Sequence, residues 1–262
     1  QAQGDFAAAR PLYERALTIR TQSLGPQHPD TAASLSNVAL LRQSEGNYDE
    51  ARRLYKNVLD IRMNMLGAQH PQTAASLSNL ASLLQAQRDF ANARTLYEHA
   101  LAIHEQALGP QHPDTATSLN NLALMHKAQG NLAAARPLYE RALAIRTQSL
   151  GPQHPDTATS LNNLASLLYE LGDLESARPL CLRALAIRGH VLGSEHPHTI
   201  TSLINLALLE RDAGKFEEAA QLLQRAYAQR SATLGAEHAS TLRLKQLLEE
   251  AKRRLAQPDE PA

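Results

Sequence analysis

The stretch ALAIRTQSLGPQHPDTATSLNNLA, residues 142–165, carries the reading of the whole chain. It joins a run of apolar residues at helical spacing to a Leu-Gly break, a His-Pro-Asp start and a second helical run. The Leu150-Gly151 pair at its centre recurs as Leu24-Gly25, Leu66-Gly67, Leu108-Gly109, Leu192-Gly193 and Leu234-Gly235, always 42 residues apart. His-Pro follows at His28, His70, His112, His154 and His196, and His238-Ala239 holds the place in the last unit. Self-similarity kept without insertion over six copies is the signature of a repeat architecture.

Each unit reads as two helices. The first begins near Pro29-Asp30, because proline suits a first turn whose N–H would be unpaired anyway and an acid there faces the positive end of the dipole. Its apolar positions Leu35, Val38, Ala39 and Leu41 follow helical rather than strand spacing. Gly46 stops it, and Asn47 with Glu50 predicts a capping box for the second helix, with Asp5, Asp89, Asn131 and Asp173 in the same capping place. The second helix carries Ala51, Leu54, Tyr55, Val58 and Ile61, and Gly67 closes it. Alanine columns mark the close approach of helices: Ala39, Ala81, Ala123, Ala165 and Ala207 on first helices, Ala9, Ala51, Ala93, Ala135, Ala177 and Ala219 on second helices.

The expected fold is all-α, an α-α superhelix of about twelve helices in one domain over residues 1–256. A half repeat (1–24) precedes full repeats 25–66, 67–108, 109–150, 151–192 and 193–234. Residues 235–256 read as a capping helix, since Lys245, Glu249, Glu250, Lys252 and Arg253 make its outer face polar, and 257–262 as a disordered tail. At the amino end Phe6, Leu12 and Tyr13 have no first helix to pair with, so further repeats or an effector domain are expected before residue 1. Pro11, Pro137 and Pro179 fall inside second helices and are expected to bend them.

Composition narrows the function classes. The 26 Lys+Arg balance 26 Asp+Glu, and aromatics make up 4% with no Trp, which argues against nucleic acid as a partner. No apolar run approaches the roughly 20 residues that cross a bilayer, so no membrane association is expected. The single cysteine, Cys181, fits a reducing, cytoplasmic setting. The evenly spaced histidines do not predict a metal: equivalent atoms of stacked helices lie on the order of 10 Å apart, against the ~2 Å ligand distance of zinc. The basic column Arg20, Arg62, His104, Arg146, Arg188 and Arg230 is expected to complement helix C-termini and to pair with the Asp of a nearby His-Pro-Asp loop. Phosphate-cradling loops and nucleophile signatures are absent from the sequence, and neither an enzyme nor a cofactor is expected.

Leu35-x2-Val38-Ala39, Gly46 and Ala51-x3-Tyr55-x2-Val58 together resemble the tetratricopeptide signature, whose usual period is about 34 residues. The extra residues lie between one unit's second helix and the next unit's first, an arrangement similar to the long repeats of kinesin light chains and of bacterial arrays, some attached to signalling ATPases. HEAT repeats share the longer period but leave the alanine columns and the turn glycine unexplained. Arg42, His126 and Glu210 depart from the Tyr the signature prefers, Arg88 from the turn glycine, and Cys181 and Leu223 from the second-helix aromatic.

The resemblance implies a scaffold or adaptor whose first helices line a concave groove for a protein or linear peptide. A ligand-sensing array within a larger bacterial signalling ATPase is the alternative. Carried over by position, Asn37, Asn79, Asn121, Asn163 and Asn205 face that groove, beside Asn120 and Asn162. Farther along lie Gln43, Gln85, Lys127, Tyr169 and Arg211, a column that varies between units and so is suited to specificity. An Asn amide both donates and accepts, so it can pair with any peptide backbone, or equally with buried groups between repeats. Lys127 and Arg211 are expected to receive acidic side chains and Tyr169 an apolar one.

Overall fold

The computed structural model describes residues 6–256, with side chains from residue 9 onward. The expected cap at Asp5, the side chain of Phe6 and the tail 257–262 lie outside the described residues. Twelve α-helices and no strand occur among them. The first helices of successive pairs are α2 (Pro29–Ser44), α4 (Pro71–Ala86), α6 (Pro113–Ala128), α8 (Pro155–Glu170) and α10 (Pro197–Asp212). The second helices are α1 (Phe6–Leu24), α3 (Tyr48–Leu66), α5 (Phe90–Leu108), α7 (Leu132–Ser149), α9 (Leu174–Val191) and α11 (Phe216–Leu234), followed by α12 (Ala239–Ala256). Contacts divide the chain into two compact units, residues 1–138 and 139–262, with the division inside α7.

In the first unit Ala39, Ala51, Tyr55, Ala81, Leu83, Ala93 and Tyr97 share one core, flanked by the smaller group Ala74, Leu77, Ala100 and Ile103. Alanine at 0% exposure at Ala39, Ala51, Ala81 and Ala93 lets the helices approach closely, while each buried Leu, Ile or Tyr removes enough apolar surface to contribute about 1.5–3 kcal/mol. The second unit repeats the plan with Ile200, Leu203, Leu223, Leu244 and Leu248 at its carboxyl end. Lys245, Glu249, Glu250, Lys252 and Arg253 of α12 are exposed. On α1, Ile19 is 53% exposed, whereas its equivalents Ile61 and Ile103 are 1% exposed. The helices containing Pro11, Pro137 and Pro179 run on through these residues, all three of which face solvent.

Capping differs from expectation. Asn47 makes no side-chain cap; its Nδ2 donates to Glu50 Oε2 at 2.8 Å, so the capping box does not form. Asp89 and Asp173 do accept from the N–H groups of Asn92 and Ser176. The consistent caps belong to the first helices. Nδ1 of His28, His70, His112, His154, His196 and His238 accepts from the backbone N–H two residues on, at 3.1–3.2 Å. These histidines do for the first helices what Ser or Asp usually does. The turn after each first helix needs a left-handed residue, and Arg88 adopts φ 62° where Gly46 and Gly130 have 80° and 78°.

Two departures from the signature are compensated or costly in identifiable ways. Glu210 is 2% exposed and is neutralised by Arg178 Nε at 2.7 Å and Lys215 Nζ at 3.6 Å. Burial, with a smaller push from Glu210, raises the neighbouring Cys181 thiol to about 11, which makes it an inert core group at neutral pH. Like Glu210 Oε2, His126 Nδ1 is buried with no hydrogen-bond partner, and burial followed by the nearby Arg94 lowers the His126 pKa.

Replacing His112 by Ala should lower stability by about 1 kcal/mol, read as a reduced urea midpoint, while His112→Asn should keep most of it. The lowered pKa of His126 means that the unfolded chain binds its proton more readily than the folded one. Stability from this group is therefore complete above the ordinary value of 6.5 and is lost as pH falls below it toward the depressed folded value. His126→Leu, the residue type at Leu84 and Leu168, should lose less stability than the parent between pH 7.5 and pH 5.5 (roughly one unit either side of an ordinary histidine); equal losses in urea titrations would remove this account.

Candidate functional site

In the first unit, the first helices α2, α4 and α6 turn one face to an open trough of about 770 Å³. Helical periodicity places positions 37, 40 and 43 on one stripe, and the 42-residue register repeats that stripe on α4 and α6. Asn79 and Asn121 stand in the trough wall with Gln43, Gln85, Ser78 and Ser82. Asn37 is exposed, and Asn79 and Asn121 are half-buried. Gln43 and Gln85 are held from behind: the hydroxyls of Tyr55 and Tyr97 donate to their Oε1 atoms at 3.3 and 3.2 Å. Burial raises both phenols to about 12, so they stay protonated donors across the physiological range.

Three trough residues escaped the positional argument. Phe90 opens α5, Arg88 occupies the left-handed turn before it, and Tyr97 lies two turns further on. The signal for them was present: the turn between paired helices sits at the trough edge, and Arg88 is the unit's departure from glycine. With Leu124, 39% exposed, and Ala86 and Ala128, Phe90 gives the trough an apolar floor between amide walls. Lys127, half-buried on α6, engages another group of the protein.

The expectation for Asn120 and Asn162 is corrected. Both are 7% exposed and are not open to a groove. Adjacent helical residues point about 100° apart, and on α6 and α8 this rotation carries Asn120 and Asn162 inward, whereas Ser78, in the same column on α4, still lines the trough. Ile204, the equivalent residue on α10, packs against the carboxyl-terminal core for the same reason.

In the second unit Asn163 and Asn205 are half-buried on α8 and α10. Tyr169 and Arg211 do come together, but through a third residue. The Tyr169 hydroxyl donates to Asp212 Oδ2, and Arg211 Nε donates to Asp212 Oδ1 at 2.7 Å. Arg211 therefore already has its carboxylate, contrary to the expectation that it would await an acidic ligand. Its hydrogen bond to Arg211 and the one from Tyr169 hold the Asp212 carboxyl below its usual range, against the opposing effect of burial. Among the described residues no group of three or more His, Cys, Asp or Glu is arranged to hold a metal. No helix of the described residues is long and apolar enough to cross a membrane.

The basic column is corrected too. The loops that follow Arg62 and Arg188 carry Gln72 and His198 where other units have an aspartate. Arg20, Arg62, Arg146 and Arg188 donate to the backbone carbonyls of Asp30, Gln72, Asp156 and His198 and to the hydroxyls of Ser34, Ser76, Ser160 and Ser202. Burial lowers the pKa of Arg62 and Arg188 without removing their charge, since an ordinary guanidinium titrates far above neutrality.

Comparison with known proteins agrees with this architecture. The tetratricopeptide repeat family matches residues 1–64, 30–91, 72–148, 116–188 and 156–232. No curated protein matches the chain. Among solved structures, BtubC (BKLC) from P. vanneervenii is 29% identical, with a TM-score of 0.69 over 88% of this chain and 91% of that one. The nearly identical TPR-like repeats of a Podosopora anserina putative kinesin light chain are 31% identical, with a TM-score of 0.64 over 79% of this chain and 98% of that one. A second crystal structure of those repeats, carrying a single substitution, gives 30% identity and a TM-score of 0.65 over 79% and 97%. With the helix pairs, the alanine columns and the turn geometry all in register, the chain belongs to the tetratricopeptide repeat family.

Proposed function

We propose that this protein is a scaffold or adaptor that holds a partner polypeptide in the trough of its first unit. The observation that carries the reading is the trough itself. It is long enough to touch three first helices and is walled by amides and hydroxyls, with an apolar floor at Phe90 and Leu124. Amide walls satisfy a peptide backbone, and an apolar floor takes a side chain, which is how a groove gains affinity without demanding one sequence. Asn79 and Asn121 supply the backbone contacts, Gln85 and Lys127 the contacts that differ between units. Within the second unit, Asn163, Asn205 and the Tyr169–Asp212–Arg211 cluster offer amides beside a fixed, internally neutralised charge pattern. Repeat proteins of this family generally mediate protein interactions, which supports a binding role over a catalytic one. The alternative of a sensor array for a signalling ATPase draws no support from the family match or the similar structures.

The test is selection of linear peptides from a random display library on the purified protein, followed by measured affinities. Peptides chosen on the parent should bind an Asn79→Ala/Asn121→Ala variant at least about tenfold more weakly, the equivalent of one lost hydrogen bond in a desolvated site. A variant that retains its helicity and binds the same peptides with unchanged affinity would remove the trough from the proposal.

A further inference from the structure

The row of arginines that ties second helices to following first helices changes residue type once, at His104, and at Arg230 the serine fourteen residues on gives way to Leu244. Arg20, Arg62, Arg146 and Arg188 each donate Nη1 to the carbonyl ten residues on and to the serine hydroxyl fourteen residues on, at 2.8–3.2 Å. Arg188 also reaches back. Its Nη2 donates to Thr159 Oγ1 of α8 at 3.1 Å, so one guanidinium fills the floor between α8 and α10. Between α4 and α6 the equivalent residue is His104, 6% exposed. Its Nδ1 meets Ser118 Oγ at 2.7 Å, and its Nε2 turns to the carbonyl of Pro71 at 3.2 Å.

An imidazole is shorter than an arginine side chain and offers at most two N–H donors where the guanidinium fork offers five. At this interface there is a cavity of about 290 Å³ with His104 in its lining. Ala75 and Ser78 of α4 bound one side, and Asp114, Thr117 and Asn121 of α6 the other. Asp114 brings a carboxylate, and neither lysine nor arginine lines the cavity among the described residues. That carboxylate is 60% exposed and has His112 Nδ1 3.7 Å away, so its charge faces the opening rather than the core. The cavity thus has hydroxyl, amide and carboxylate acceptors around the place that a guanidinium fills between α8 and α10.

We propose that this cavity is a subsite for an arginine side chain of the bound polypeptide. The partner's guanidinium occupies the floor between α4 and α6, donating to Asp114 and to the neighbouring hydroxyl and amide oxygens. This deepens the trough reading and rests on it, since the cavity shares Ser78, Asn79 and Asn121 with the trough. A planar fork suits several acceptors at once, whereas an ammonium is a compact, strongly hydrated point charge. Arginine is therefore preferred to lysine, and both are preferred to a neutral urea of the same shape.

The probes are N-acetyl-arginine N-methylamide and its citrulline and lysine counterparts, titrated into the whole protein and followed by amide and side-chain NMR shifts. The arginine compound should perturb Ser78, Thr117 and Asn121 and bind at least about tenfold more tightly than the citrulline compound. Asp114→Gln, the residue type found at Gln72, should abolish most of that preference while leaving the fold unchanged. His104→Arg, the residue type of the other interfaces, should fill the cavity from within and eliminate the response. Equal binding of arginine and citrulline compounds, an undiminished response in His104→Arg, or a soaked crystal with only water in the cavity overturns the subsite. Selected peptides that bind the trough without arginine preference overturn the subsite alone. Arginine binding without any peptide capture overturns the trough reading instead.

Discussion

The buried guanidinium at the end of a second helix is the interaction on which the spacing of the helix pairs depends. Removing a cation from water costs several kcal/mol unless its donors are satisfied. Arg62 and Arg188 are 8% and 4% exposed, and each meets a carbonyl and a serine hydroxyl in the opening turns of the next first helix. The demand works in both directions. The arginine requires that first helix to lie within reach, and the helix places its carbonyl and serine one turn apart on the side facing the arginine. A second bond locks the connection, because the hydroxyls of Thr31, Thr73, Thr115, Thr157 and Thr199 each donate to the carbonyl of the glycine six residues earlier, all at 2.8 Å. The longer connection of these repeats is thus a fixed strut, and its length cannot change without stranding a buried charge.

A fixed strut has consequences for the surface on the other side of the first helices. When the spacing of α2, α4 and α6 is set by buried bonds, the amides of Asn79 and Asn121 are presented at a set interval whatever occupies the trough. Preorganisation of this kind reduces the ordering cost of binding. The tyrosines behind the trough contribute in the same sense: Tyr55 and Tyr97 fill the core with their rings and steady Gln43 and Gln85 with their hydroxyls. Core and trough wall are therefore linked through single side chains.

The sequence showed what is periodic and concealed what depends on rotation by one residue. Helix starts at Pro29, Pro71, Pro113, Pro155 and Pro197 and the alanine columns could be read because each recurs in register and has a steric reason. The histidines were recognised as part of the helix entry, but their capping bond was not, since histidine is an unusual cap and Asn47 and Glu50 offered a familiar one. Asn120 and Asn162 were misplaced by about 100° of helical rotation, an error that no pattern of identical residues in adjacent positions can expose. The Tyr169–Asp212–Arg211 cluster was half visible: the two predicted members were identified, while Asp212, one residue outside the repeated column, was the member that joined them.

In a protein built from copies, the departures carry the individuality of each copy, and these departures are not scattered evenly in their effects. In the second unit they cancel locally. Glu210 intrudes into a position that prefers an aromatic, yet Arg178 and Lys215 neutralise it, and Arg211 is matched by Asp212 next to it in sequence. From α4 to α6 they leave something over. Arg88 holds a backbone conformation that glycine holds elsewhere, Phe90 places an aromatic ring at the trough floor, and His104 replaces the fork that fills the corresponding interface between α8 and α10. Arg88 gives up backbone ease and His104 gives up hydrogen-bond donors, while Phe90 keeps the aromatic type of Tyr48 and Phe216, and each of the three residues lines one of the two cavities that meet at Asn79 and Asn121. Local rules relaxed in one place, with compensation elsewhere in the molecule, agree with the proposal of a binding site on an otherwise regular fold. The α4–α6 segment is where this array stops being generic.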